Sequence, residues 1–115
     1  LGQLYLQGGK SVSTQVVPQP WIEQVVTPQT WRSQYASLKS YTYGSLWWIE
    51  EGQREPAYFA WGYGGQFIYV VPSLDLVVVT TTNWRRISQE VNGPQRMEQL
   101  GMRIIMNMIL PAVRN

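Results

Sequence analysis

The chain has 115 residues, 44% hydrophobic and 14% charged, with a formal net charge of +2. That composition fits one globular domain and excludes a disordered tail. A charge of +2 with one tight basic pair, Arg85-Arg86, is too weak for a phosphate-tracking surface, so no nucleic-acid partner is expected and the pair reads as a solvated loop. No stretch approaches the ~20 apolar residues of a membrane span. With no cysteine and no histidine, there is no thiol chemistry, no histidine general base and no histidine zinc ligand, so no metal site and no cofactor is expected.

The chain opens Leu1-Gly-Gln-Leu-Tyr-Leu-Gln-Gly-Gly9, without methionine, leader or cap residue ahead of it, so a piece of a longer protein is expected. Leu1, Leu4 and Tyr5 recur at helical spacing, and Gly8-Gly9 can supply the left-handed stop. Lys10 to Val17 reads as a polar turn with an extended end at Gln15-Val-Val17. Pro20 suits a first helical turn, with Trp21, Ile22, Val25 and Val26 on one face; Thr27-Pro28 ends that helix. Thr30 to Thr42 is polar and aperiodic, a loop.

From Tyr43 the period shortens. Strands are expected at 43–50, 57–62, 66–71 and 76–82, separated by the Glu51–Pro56 turn, a glycine-dense corner and Pro72-Ser-Leu-Asp75. Connections this short favour antiparallel neighbours. The near-continuous apolar run Leu76-Val-Val-Val79 predicts burial on both faces. After a polar link, a helix over 94–110 presents Met97, Leu100, Gly101, Ile104, Ile105 and Met108 to the sheet, and Pro111 stops it. The fold class is therefore α+β: an antiparallel sheet with a C-terminal helix packed on one face.

Chemistry is sparse. Gly62-Tyr-Gly-Gly65 lacks the third glycine and the following helix of a nucleotide fingerprint, so it reads as a hairpin corner or a place where backbone N–H groups meet a ligand. Six tryptophans, seven tyrosines and two phenylalanines read mainly as core and interface, with Trp47-Trp48 on opposite faces of one strand. As a functional alternative they form a stand-alone carbohydrate- or peptide-binding module resting on Trp47 or Trp61, without catalytic activity. Among the carboxylates Glu50, Glu51, Glu55 and Asp75, the turn residues Glu51 and Glu55 read as solvated, and no glycosidase pair stands out. Ser37-Leu-Lys39 has the wrong spacing for a serine–lysine nucleophile, Lys10 and Lys39 are the only lysines, and there is no Gly-x-Ser-x-Gly elbow. The chain cannot assemble a hydrolase site by itself.

As an ordered set, however, Leu1–Gly9, Val16-Val-Pro18, Trp21-Ile-Glu23, Tyr43-Gly-Ser-Leu-Trp-Trp48, Gly62-Tyr-Gly-Gly-Gln66, Val70-Val-Pro72, Leu74-Asp-Leu-Val-Val78 and Ile109-Leu-Pro-Ala-Val113 resemble the C-terminal third of the class C β-lactamase-like serine hydrolases. That bacterial family includes penicillin-binding esterases and 6-aminohexanoate-dimer hydrolases. The resemblance implies the β-lactamase/transpeptidase-like fold, with residues 1–115 as an incomplete domain and the missing N-terminal part of the same protein as its partner. It implies an acyl-enzyme hydrolase whose serine, lysine and tyrosine lie upstream; Tyr43-Gly-Ser45 matches that tyrosine motif only by letters. Gly62-Tyr-Gly-Gly-Gln66 stands where β-lactamases carry Lys-Thr-Gly or His-x-Gly. By position, the backbone N–H of Tyr63 then belongs to the oxyanion hole, with Gly62, Gly64, Gly65 and Gln66 along the substrate. Without Lys-Thr-Gly, a small ester, amide or peptide substrate fits better than a β-lactam. The resemblance implies a periplasmic or secreted setting, which nothing in the sequence identifies. Alone, the segment is expected to be inactive and to self-associate through Leu76–Thr82 or an uncovered aromatic face.

Overall fold

The computed structural model describes residues 1–29 and 41–114. The loop expected over 30–42 lies mostly outside them, as do Ser37 and Lys39. The described chain is α+β. One sheet has five strands, β3 (Thr42–Tyr43), β4 (Trp48–Glu50), β5 (Ala57–Gly62), β6 (Gln66–Val71) and β7 (Leu76–Thr80), in that spatial order and antiparallel. A separate two-stranded ribbon pairs β1 (Lys10–Ser11) with β2 (Thr14–Gln15). The chain divides into two compact units, residues 1–60 with 69–77 and residues 61–68 with 78–115.

In the first unit, α1 (Gly2–Leu6) ends at Gly8 and Gly9, both at positive φ. The N–H groups of Val16 and Val17 both bond to the Gly9 carbonyl, which closes the β1–β2 ribbon. That ribbon replaces the extended piece expected at Gln15–Val17. Helix α2 (Gln19–Val25) carries Pro20 in its first turn, as its fixed φ permits, and buries Ile22 and Val25. The single strand expected over 43–50 is instead two. Gly44 N–H bonds to the Trp47 carbonyl at 2.8 Å, and Leu46 adopts φ 73°, so a turn separates β3 from β4. β4 then pairs with β5 in the register Trp48↔Phe59, Ile49↔Tyr58, Glu50↔Ala57.

The aromatics of this unit pack on one another. Trp47, just ahead of β4 and buried, has Tyr5 at 4.6 Å and Tyr58 edge-on at 5.2 Å. Phe59 lies parallel to Tyr69 at 5.5 Å and edge-on to Tyr41 at 5.0 Å. Such offset and T-shaped pairs add to simple burial. Burial pushes the Tyr58 phenol up to about 12, with a smaller contribution from Tyr5; burial and then the Glu50 charge do the same for Tyr41, also to about 12. Both rings stay neutral at ordinary pH.

In the second unit, α3 (Trp84–Ile87) occupies what reads in sequence as a polar link, capped by the Asn83 side chain, which accepts from Arg86 N–H. Arg85 and Arg86 are exposed on this helix rather than in a loop. After Asn92 comes α4 (Gly93–Ile104), a π-turn over Ile105–Ile109, and α5 (Leu110–Arg114), all continuous. Pro111 therefore does not stop the helix. A proline within a regular α-helix loses one bond and clashes with the carbonyl four residues back. Here Leu110 N–H reaches five residues back, to the Ile105 carbonyl, and the widened turn accommodates the ring. The same extra residue keeps the buried positions in phase: Gly101, Ile105 and Leu110 are buried, four and then five residues apart. Leu100 and Met108, expected on the packed face, are 45% and 65% exposed.

Strand β7 also differs from expectation. It ends at Thr80 and forms one edge of the sheet, half-covered, with Val79 61% exposed. With Val79 exposed, its apolar run is not buried on both faces. The other edge, β3, is only two residues long and offers little template. Self-association through β7 is therefore the expected behaviour of the chain. Light scattering should give a mass that rises with concentration, and Val79→Lys should suppress the rise; a monomer at all concentrations overturns the expectation.

Candidate functional site

Within the second unit, β5 turns into β6 through Tyr63-Gly64-Gly65, and the corner is held from two directions. Behind it lies α4. A Cβ on Gly65 would sit 2.6 Å from the Met97 carbonyl oxygen, and one on Gly101 would sit 3.1 Å from the Phe67 ring. Only glycines allow the helix to approach this closely, and Gly65 also has φ 87°. From this helix Glu98 reaches the corner, its Oε1 accepting the Gly64 N–H at 3.0 Å.

Beside the corner lie the last residue of β7 and those that follow it. Thr80 Oγ1 donates to the Gly65 carbonyl at 2.8 Å and accepts from Phe67 N–H at 3.1 Å. Thr82 Oγ1 donates to the Gly64 carbonyl and accepts from Gln66 Nε2. Gln66 completes a reciprocal pair. Its Nε2 donates to the Thr82 carbonyl at 3.2 Å, and its Oε1 accepts the Thr82 N–H at 3.1 Å. A primary amide carries the same donor and acceptor as a peptide group. Gln66 therefore extends the bonding between β6 and the residues after β7 past the end of the strand itself.

The five residues singled out in the sequence form this one corner but take different parts in it. Tyr63 is at its tip, 64% exposed, and none of the turn hydrogen bonds among the described residues uses its N–H. Gly62 is half-buried, its notional Cβ 3.1 Å from Gln66 Cβ. Gly64 and Gly65 are buried, with both carbonyls bonded to threonine hydroxyls. Gln66 commits both ends of its amide to Thr82. The sequence reading missed Thr80, Thr82 and Glu98. The run Thr80-Thr81-Thr82 at the end of an apolar strand was the available signal; nothing local marks Glu98.

The carboxylates elsewhere do not gather. Glu50 is 3% exposed and accepts the Tyr69 hydroxyl, and Glu51 is exposed. Glu55 is not solvated as expected: its side chain is 11% exposed, and Arg54 Nε lies 3.4 Å from its Oε1. Among the described residues no group of three or more His, Cys, Asp or Glu could hold a metal ion, and no helix is long and apolar enough to cross a membrane. Trp47 has no ring face left for a sugar, since Tyr5 and Tyr58 cover it at 3% exposure. Trp61 stacks on Phe67 at 6.0 Å.

No family model and no curated protein matches the chain. Among solved structures, the chain is similar to a "putative 6-aminohexanoate-dimer hydrolase" from Bacillus anthracis, with a TM-score of 0.52 and 21% identity over 92% of this chain. The match spans 27% of that protein's length. At this identity the likeness establishes the fold: the α+β arrangement is that of a segment of a β-lactamase-fold chain.

Thr82 carries the corner's densest bonding, so Thr82→Val, which keeps the shape and removes the hydroxyl, should destabilise the chain by about 1–3 kcal/mol through the unsatisfied Gly64 carbonyl. Thr82→Ser should recover most of this. Urea midpoints at unchanged m-value report both. Likewise Gly65→Ala should cost about 2–4 kcal/mol from strain at positive φ and collision with Met97, whereas Gly52→Ala, with nothing within 4 Å, should be near neutral.

Proposed function

We propose that this chain is the C-terminal portion of a serine hydrolase that cleaves small ester or amide substrates through an acyl-enzyme, and that it supplies the oxyanion-side strand. The residues that would attack and shuttle protons belong to the remainder of the same protein, so the chain alone is inactive. Supporting this reading is Tyr63, an exposed residue just past the end of β5 whose N–H enters none of the turn hydrogen bonds among the described residues, on a braced glycine corner, in a segment with the fold of part of a β-lactamase-like hydrolase.

The chemistry asks for such a corner. When a nucleophile adds to a carbonyl, negative charge develops on oxygen, and a backbone N–H already aimed at that oxygen stabilises it without reorganising. The donor must lie at a strand end, where its N–H is free of the ladder, and it must be rigid. Tyr63 supplies the donor; Gly62 and Gly64 flank it, and their missing Cβ atoms let Gln66 and Ile87 pack against the corner. Gly65 and Gln66 serve by holding the corner against α4 and Thr82. No Lys-Thr-Gly cation is present to meet a β-lactam carboxylate, which favours esterase or amide-hydrolase chemistry. The covered faces of Trp47 disfavour the alternative of a non-catalytic carbohydrate- or peptide-binding module.

The test compares this chain with the longer protein. A chromogenic ester should be untouched by the chain and hydrolysed by the longer protein, with loss of activity on replacing its Ser-x-x-Lys serine. In the active protein, Tyr63→Pro, which deletes the N–H, should lower kcat by ~10²–10³. Tyr63→Ala, which keeps the N–H, should change it little. A folded Tyr63→Pro variant with full kcat overturns the role of Tyr63.

A further inference from the structure

We infer that Glu98 is a positioning residue for this corner: by holding the Gly64 N–H it fixes the Tyr63 Cα, one end of the peptide that carries the Tyr63 N–H. The inference rests on the oxyanion reading of Tyr63 and extends it to a residue 34 positions beyond Gly64, on another element. Glu98 is a half-buried side chain on the helix face that meets the corner. Among the described residues no cation pairs with its carboxylate, so the Gly64 N–H at 3.0 Å is its one strong partner. A charge-assisted bond of this kind is stronger than a neutral one.

The geometry gives that bond its consequence. The peptide between Tyr63 and Gly64 is planar, so anchoring the Gly64 N–H places the Tyr63 Cα. The Tyr63 N–H belongs to the preceding peptide, whose other end is Gly62, the last residue of β5. Tyr63 is thus fixed from both sides. Without such anchors, two successive glycines at φ 80° and 87° would leave the corner free to sample other conformations. Glycines are needed there for close approach, and they bring flexibility that a preorganised donor cannot tolerate. Glu98 on the N–H of Gly64 and Thr82 on its carbonyl restore the rigidity. Thr82 belongs to the segment just after β7, whereas Glu98 is delivered by the helix, which the Gly65–Met97 contact brings to the required distance.

Two measurements test this, one on each form of the protein. In this chain, Glu98→Ala should raise hydrogen exchange at the Gly64 amide roughly tenfold or more, as expected for loss of one charge-assisted bond, and Glu98→Gln, which keeps an acceptor oxygen, should restore much of the protection. In the active longer protein, Glu98→Ala should lower kcat by ~10- to 10²-fold, the scale set by a small misplacement of a catalytic group, with KM nearly unchanged, and Glu98→Gln should recover most of the rate. Unchanged exchange at Gly64, or unchanged kcat beside an impaired Tyr63→Pro, overturns this inference alone. Full kcat in Tyr63→Pro overturns the oxyanion reading and this inference with it. A rate loss in Glu98→Ala that tracks lost stability and is not rescued by Gln assigns Glu98 a merely structural part and overturns the inference.

Discussion

The second unit depends on one close approach, the passage of α4 across the β5–β6 corner where Gly65 meets the Met97 carbonyl and Gly101 meets the Phe67 ring. Replacing either hydrogen by a methyl group would push the helix outward. At the present separation Glu98 reaches Gly64, Ile105 is fully buried and Leu110 nearly so. Burial of side chains of this size contributes roughly 1.5–3 kcal/mol each. The glycines at this crossing therefore serve helix packing.

A second constraint follows from the first. A glycine corner has little intrinsic stiffness, so its conformation must be imposed by neighbours. Three side chains impose it: Glu98 from the helix, and Thr80 and Thr82 from the end of β7 and the segment after it. Their hydrogen bonds, with the Gln66–Thr82 pair, occupy the carbonyls of Gly64 and Gly65 and the N–H groups of Gly64 and Phe67. Tyr63, exposed and outside these hydrogen bonds, is what this bracing leaves at the tip. For a backbone group to act on developing charge, such immobility matters more than the bond count, because a mobile donor must be ordered again at each turnover.

Helix continuity also bears on the site, though at a distance. Had Pro111 ended the helix, Leu110 would lie at a frayed terminus. The π-turn instead carries the buried stripe through Gly101, Ile105 and Leu110 and leaves α5 beyond it. Spreading the helix's burial over these positions anchors it independently of Glu98. The carboxylate can then act as a clamp without also having to hold the helix in place.

Much of this was legible in the residue pattern. β-rich apolar runs and turn residues marked β5, β6 and β7, the last with two residues too many, and Gly62-Tyr-Gly-Gly-Gln66 marked the corner, because those signals are local and depend on backbone freedom and residue type. Tertiary structure alone decided the rest. Leu46 had to adopt a left-handed turn to split one expected strand into β3 and β4, and Pro111 could stay helical only because the chain admits a wider turn before it. The buried helix face was shifted from the one the apolar residues suggested, since a glycine at 101 and a carboxylate at 98 fit the corner better than Leu100. Glu98 meets Gly64 across 34 positions of sequence, and no period or propensity within either segment encodes a hydrogen bond between them.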